Sequence, residues 1–244
     1  MSAAIAPPPG GGRLERMRIV ITGANRGIGL ELVRQYLAQG HSVHAGVRTP
    51  EHSGELAALV EPSGGRLQLH ACDVASDTSV RAFAATVTEP VELLINNAGV
   101  RSRPDGLEGL DLDDVARTFQ VNALGMLRVT SALLPMLRRA RGAKIANISS
   151  GLSSLHDNTS GGAYGYRMSK AALNMASRSL AQDLREDGIV TVAISPGWVQ
   201  TDMGGSDAPT PVTESASGLI GVIARLTLED SGGFFNFRGE RIAW

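Results

Sequence analysis

A single cysteine, Cys72, stands in 244 residues. No internal disulfide can form, and the chain fits a reducing compartment. Cys72 falls in an apolar run and reads as a small buried residue rather than a nucleophile. Charge of one sign is equally scarce, since 23 Lys and Arg against 24 Asp and Glu leave a net charge of −1. Without a basic excess there is no electrostatic footprint for nucleic acid, and without a polybasic run none for an anionic membrane surface. No apolar stretch reaches the ~18 residues of a spanning helix, and none near the start has the form of a secretory signal. The expectation is a cytoplasmic protein with no membrane or nucleic-acid partner. The five histidines are scattered and make no metal constellation.

What is present is an alternation. After a Pro- and Gly-rich segment over 1–16, expected to be a flexible tail, short Val/Ile/Leu/Ala runs alternate with longer helical patterns. Strands are expected at 18–22, 42–47, 66–71, 91–96, 143–149 and 189–195, with a short one near 234–237. Helices are expected at 27–39, 51–59, 76–88, 111–139 and 165–186. Thr210-Pro211 reads as an N-cap and first-turn proline opening a further helix toward Leu226. Strands apolar on both faces belong to a parallel sheet covered by helices on both sides. The fold class is therefore α/β, a doubly wound parallel sheet in one domain spanning 17–244.

The first strand runs into Thr22-Gly23-Ala24-Asn25-Arg26-Gly27-Ile28-Gly29. The spacing is Gly-x-x-x-Gly-x-Gly, and its physical use is a tight turn that lets backbone approach a pyrophosphate at a helix N-terminus. Enzymes that read NAD place an acidic residue ~20 residues on, but here stands Val47-Arg48-Thr49. A guanidinium at Arg48 suits a 2′-phosphate, Arg26 adds a second charge, and together they favour NADP(H) over NAD. The plain alternative for both is a solvated surface arginine. Asp73-Val74 closes the third strand, where a carboxylate can accept from an adenine amino group or merely cap a turn. Asn97-Ala98-Gly99 closes the fourth, at the same edge of the sheet.

Tyr166 and Lys170 lie four residues apart, on one helical face. An ammonium beside a phenol favours the phenolate, which would make Tyr166 a usable acid and base. Ser150 ends the fifth strand at the carboxyl edge, where ligands bind in such folds. Its hydroxyl can stabilise a developing alkoxide, and no Gly-x-Ser-x-Gly turn surrounds it, so a hydrolase nucleophile is not expected. Asn122 sits in the expected long helix among Val121, Leu124 and Met126, and its amide needs partners, either structural ones or a water bridge toward Lys170. Pro196-Gly197 turn the chain sharply after the sixth strand. Backbone groups of Val199 and the hydroxyl of Thr201 can then meet a nicotinamide carboxamide.

This set, TGANRGIG at 22–29, NNAG at 96–99, Asn122, Ser150, Tyr166-Arg167-Met168-Ser169-Lys170 and Pro196-Gly197, resembles the short-chain dehydrogenase/reductase family over 18–244. The segments 157–162, 166–175 and 197–205 and the terminal Trp244 are similar to its C-factor and sniffer-like subfamily. The resemblance implies a Rossmann fold and an Asn122-Ser150-Tyr166-Lys170 tetrad, with Tyr166 as acid/base and Lys170 binding the ribose. It implies NADPH-dependent reduction of a small carbonyl substrate, or oxidation of the corresponding alcohol. It also implies an alternative, an NADP-binding signalling protein with little turnover. Ser150 and Tyr166 are sixteen residues apart, a longer separation than the family's usual dozen, and the extra residues are expected to form a loop beside the pocket that carries His156. The run of Ala171, Ala172 and Ala176 permits close helix packing in a homo-oligomer.

Overall fold

The computed structural model describes residues 16–101 and 106–244. The segment expected as a tail therefore lies outside the described residues, Arg16 excepted. The described elements follow in the order β1 (Arg18–Thr22), α1 (Gly27–Ala38), β2 (Ser42–Val47), α2 (Gly54–Ala57), β3 (Leu67–Ala71), α3 (Asp77–Thr86) and β4 (Leu93–Asn96). Then come α4 (Leu112–Phe119), α5 (Gly125–Arg139), β5 (Lys144–Ile148), α6 (Tyr164–Asp183), β6 (Val190–Ser195), α7 (Val212–Arg225) and β7 (Phe234–Asn236). All strands join one parallel sheet in the order β3-β2-β1-β4-β5-β6-β7.

Strand periodicity divides the core into two layers. Ile19 and Ile21 pack with Leu32 and Val33 of α1 and Leu219 and Ile223 of α7. Val20, between them in sequence, packs on the other face with Val80 and Phe83 of α3 and Val129 and Leu133 of α5. Each such side chain contributes about 1.5–3 kcal/mol on burial, so both faces of the sheet must be covered. The chain winds outward from β1 in one direction and from β4 in the other. The crevice at the carboxyl ends of these two neighbours is where ligands bind in such sheets.

Three local expectations are corrected. The helix expected over 51–59 is a 3₁₀ turn, Pro50–His52, followed by the single turn α2. Gly54 interrupts the two, with φ +37°. The long helix expected over 111–139 is α4 and α5 joined through a π segment, Gln120–Leu124. Pro211, not Thr210, is the N-cap of α7, and no side chain caps that helix. The Thr210 backbone instead exchanges hydrogen bonds with Trp198 and Gln200, 3.2 and 2.9 Å. Elsewhere the ends of elements shift by one to three residues, the largest at α6, which stops at Asp183 rather than 186.

Candidate active site and dinucleotide cleft

The turn after β1 forms the floor of the cleft. Gly23 has φ +63°, and a Cβ there would stand 2.8 Å from Ala98 Cα. At Gly29 a Cβ would stand 2.3 Å from the Gly23 carbonyl oxygen and 2.6 Å from Asn97 Nδ2. No side chain fits at either position, so backbone alone faces the cleft. Asn97 holds this turn to β4, its Nδ2 donating to the carbonyls of Thr22 and Gly23 at 3.0 and 2.9 Å. The N–H groups of Asn97 and Ala98 both reach Thr22 Oγ1 at 3.1 Å. α1 has neither a side-chain cap nor an acidic residue in its first turn. Its first N–H groups and its dipole therefore suit a pyrophosphate.

One cleft is lined by Gly23, Asn25, Arg26, Gly27, Ile28, Gly29, Arg48, Asp73, Val74, Asn97, Ala98, Gly99, Tyr166, Lys170, Pro196 and Thr201. Gly197 and Val199 are not among its lining residues. Gly197, φ +85°, backs against the Phe237 ring, and Val199 is buried. Arg48 is exposed just past β2, with no ion pair among the described residues. Arg26 is engaged, its Nη1 lying 2.8 Å from Asp202 Oδ2. Both ends of that pair are exposed, so it contributes about 0–1 kcal/mol and a phosphate can displace it. Asp73 commits one oxygen to its own turn, Oδ1 accepting from Ala75 N at 3.0 Å.

At the other end, β5 delivers Ser150 and α6 delivers Tyr166 and Lys170. Ser150 stands close enough to Tyr166 for its hydroxyl to lower the phenol's pKa. Lys170, only 4% exposed, donates from Nζ to the Ile148 carbonyl at 2.7 Å and stands 6.0 Å from the Tyr166 ring centroid. The expected ordering of influences on the phenol is corrected. Burial dominates and lifts Tyr166 above the usual phenol range, opposed by the Ser150 hydroxyl and the charge of Arg101. Burial also lowers the Lys170 ammonium to about 8, because a desolvated amine sheds its charge more readily.

Asn122, 1% exposed, lies in the π segment. Its Oδ1 accepts from Val100 N at 2.8 Å, and its Nδ2 donates to Val100 O and Ser169 Oγ at 2.9 and 3.0 Å. Protein atoms thus satisfy the amide without the anticipated bridge to Lys170. Asn122 Oδ1 and Lys170 Nζ nevertheless face one another across Gly99, 3.4 and 3.5 Å from where its Cβ would be.

The loop between Ser150 and α6 is pinned by the chain terminus. His156 N donates to Trp244 O at 3.0 Å, and the Trp244 ring stacks on Phe234. His156 itself is exposed and pairs with Asp157. Met203 lines the cleft, whereas Trp198 does not; its indole N–H donates to Gly204 O at 2.7 Å. Residues missed by sequence reasoning include Arg101, Asp202 and the lining positions Val47, Cys72, Val100, Val121 and Ile148. Arg101 stands two residues beyond NNAG, and that proximity was the one available signal.

No described helix is long and apolar enough to cross a membrane, and no group of three or more metal-ligating side chains occurs among the described residues. The model of the short chain dehydrogenase family matches residues 17–211. The C-signal protein of Myxococcus xanthus is 55% identical over 166 residues, 68% of this chain and 100% of that protein. The NADPH-bound carbonyl reductase from chicken fatty liver superposes with a TM-score of 0.89 at 36% identity, covering 95% of this chain and 100% of that one. The carbonyl reductase Sniffer of D. melanogaster superposes with a TM-score of 0.90 at 33% identity, covering 94% and 100%. On the match along 17–211 and the likeness to these relatives, this chain belongs to the short-chain dehydrogenase/reductase family of oxidoreductases, with the Rossmann fold of that family.

Proposed function

We propose that this protein interconverts a small-molecule carbonyl compound and its secondary alcohol with NADP(H), using Tyr166 as acid and base. The observation that carries this reading is one cleft with Arg48, unpaired among the described residues, at one end and Tyr166, within the influence of the Ser150 hydroxyl, beside buried Lys170 at the other. A guanidinium at Arg48 attracts a 2′-phosphate, and the position lacks the carboxylate that would accept ribose hydroxyls. When bound, NADPH supplies the hydride. Ser150 polarises the carbonyl oxygen, and Tyr166 passes its proton to the same oxygen as negative charge builds there. Lys170 holds the ribose hydroxyls, and Asn122 keeps the Val100 backbone and α6 in register beside it.

The test follows nicotinamide absorbance with NADPH and NADH against aldehydes, ketones, diketones and quinones. Tyr166→Phe is expected to cut turnover by about 10²–10⁴-fold while NADPH affinity holds within a few-fold. Unchanged turnover would remove Tyr166 from the chemistry. Tight NADPH binding with no turnover on any carbonyl would support the cofactor-binding, signalling reading that likeness to C-signal suggests. The same proposal takes 17–244 as the working unit, so removal of 1–16 leaves turnover intact. It also takes a cytoplasmic, reducing setting for the free Cys72 and, through the long helices, a homo-oligomer in solution, read out by sedimentation.

A further inference from the structure

Four buried polar groups behind the reaction end of the cleft form a chain with one direction. Ser149 Oγ donates to Asn174 Oδ1 at 2.6 Å, and Asn174 Nδ2 donates to Ser153 Oγ at 2.7 Å. Ser153 Oγ donates to the Ser150 carbonyl at 2.6 Å. Each hydroxyl hydrogen is thereby committed, so the 3.3 Å approach of Ser149 Oγ to Ser153 Oγ is a contact rather than another link. Ser149, Ser153 and Asn174 are at most 4% exposed. In such a setting an unpaired amide or hydroxyl costs about 1–3 kcal/mol, so the arrangement has few alternatives.

The chain joins the two elements that carry the chemistry. Asn174 stands one helical turn beyond Lys170 and two beyond Tyr166 on α6, the same face of that helix. Ser149, Ser150 and Ser153 belong to the end of β5 and the turn after it. Setting the Ser150 hydroxyl against the Tyr166 phenol requires the turn after β5 to be held relative to α6, and this chain ties the two together. On its other side that turn is tied to β6, where Ser195 Oγ accepts from Gly151 N at 3.0 Å.

We infer that Asn174 is a positioning residue for the reaction, acting through Ser153 to set Ser150 against the Tyr166 hydroxyl. The inference rests on the roles given above to Ser150 and Tyr166. Asn174→Leu keeps the size of the side chain and removes its links to Ser149 and Ser153, while Ser153→Ala removes the donor to the Ser150 carbonyl together with the acceptor for Asn174 Nδ2. Each is expected to lower kcat by about 10–100-fold, the scale of a small misplacement in an active site, with NADPH affinity unchanged. A Ser150 hydroxyl moved away from Tyr166 also withdraws an influence that lowers the phenol's pKa. The Tyr166-dependent limb of the pH–rate profile should therefore move to higher pH, which a merely structural loss would not cause. Because both variants cut the same chain, the double variant is expected to be no worse than the poorer single one.

Ser153→Ala carries the test if Asn174→Leu does not fold. Unmoved pH limbs with additive losses would overturn the inference, as would normal kcat in both variants beside an impaired Ser150→Ala. An unimpaired Ser150→Ala would instead remove Ser150 itself from the reaction, and the inference with it.

Discussion

Replacing Gly29 by alanine adds one methyl group, and the structure states what that group meets. The Gly23 carbonyl oxygen would lie 2.3 Å away, and Cβ contacts below 3.0 Å essentially do not occur. The Gly23 oxygen, or α1 itself, must retreat until the gap reaches at least that value. That oxygen accepts from Asn97 Nδ2 at 2.9 Å, and Asn97 Nδ2 also stands 2.6 Å from the new carbon, so the hydrogen bond is lost from both sides. Gly23 cannot simply rotate, because it already occupies φ +63° against Ala98. Overpacking costs about 1–3 kcal/mol and the hydrogen bond about 1 kcal/mol, together about 2–4 kcal/mol. For a chain of this size that lowers Tm by roughly 4–16 °C. NADPH affinity should fall at least about tenfold if the displaced turn is the pyrophosphate floor, as proposed above.

Gly221→Ala is the control. Gly221 lies inside α7, and its added Cβ would meet nothing within 4 Å. The same methyl there should raise stability by about 0.5–1 kcal/mol. Differential scanning fluorimetry with and without NADPH reads both variants. A Gly29→Ala protein that melts with wild type, short of the ~4 °C loss expected at minimum, and binds NADPH normally would refute the reasoning.

Arg48→Ala should weaken NADPH by about tenfold or more, the value of a charge-assisted contact, and NADH hardly at all; equal losses would mean that Arg48 does not read the 2′-phosphate. Arg101→Met removes a charge that lowers the Tyr166 phenol, so the Tyr166-dependent limb should move to higher pH, and an unmoved limb would sink that assignment. His44 and His70 share a hydrogen bond at 3.1 Å, and His70 Nδ1 meets Thr86 Oγ1 at 2.9 Å. The Thr86 hydrogen goes to Phe83 O, so Thr86 accepts, His70 Nε2 is bare and His44 Nδ1 donates, leaving both rings neutral. Burial holds His44 below its usual pKa, and burial with the neighbouring His44 takes His70 down to about 4. Between that value and the ordinary 6.5 the unfolded chain binds more protons, so stability should fall as pH drops through this window. His70→Gln should flatten the dependence of Tm on pH, and an unchanged slope would refute it.

The parts legible in the sequence are those that one stretch of chain completes by itself. The glycine turn, the Tyr166–Lys170 spacing and the apolar strand runs each declare a local geometry, and the crossover rules of parallel sheets assemble them. What was not legible depends on partners far along the chain. Arg26 reads as a free cation until Asp202, 176 residues away, is seen against it. Asn122 reads as a polar intruder in a long helix, but clamping Val100 and Ser169 at once requires the π segment at 120–124. Propensity failed at 51–59 for a simpler reason, because Ser53 and Gly54 favour a turn and the chain buries Leu56 without a continuous helix.

The same limit applied to Tyr166 and Lys170, and on the roles proposed for them the direction of the correction bears on the chemistry. Spacing alone makes Lys170 a cation beside a phenol and so predicts a lowered Tyr166. Burial of both residues reverses that balance, raising the phenol and bringing the ammonium to about 8. For carbonyl reduction this is the useful arrangement. A donor must keep its proton until negative charge appears on the substrate oxygen, and an elevated phenol does so across the neutral range. Once the proton has left, the Ser150 hydroxyl and the Arg101 charge stabilise the phenolate without having drawn the proton off beforehand. An ammonium near 8 can then give up a proton close to neutral pH, which one held at the usual 10.5 could not do as readily. Reduction should therefore persist to mildly alkaline pH, and its decline should follow Lys170 before Tyr166. A Lys170→Arg protein, whose guanidinium does not titrate in this range, should retain NADPH binding while losing that first decline. If it keeps the wild-type profile, Lys170 is not the group that titrates.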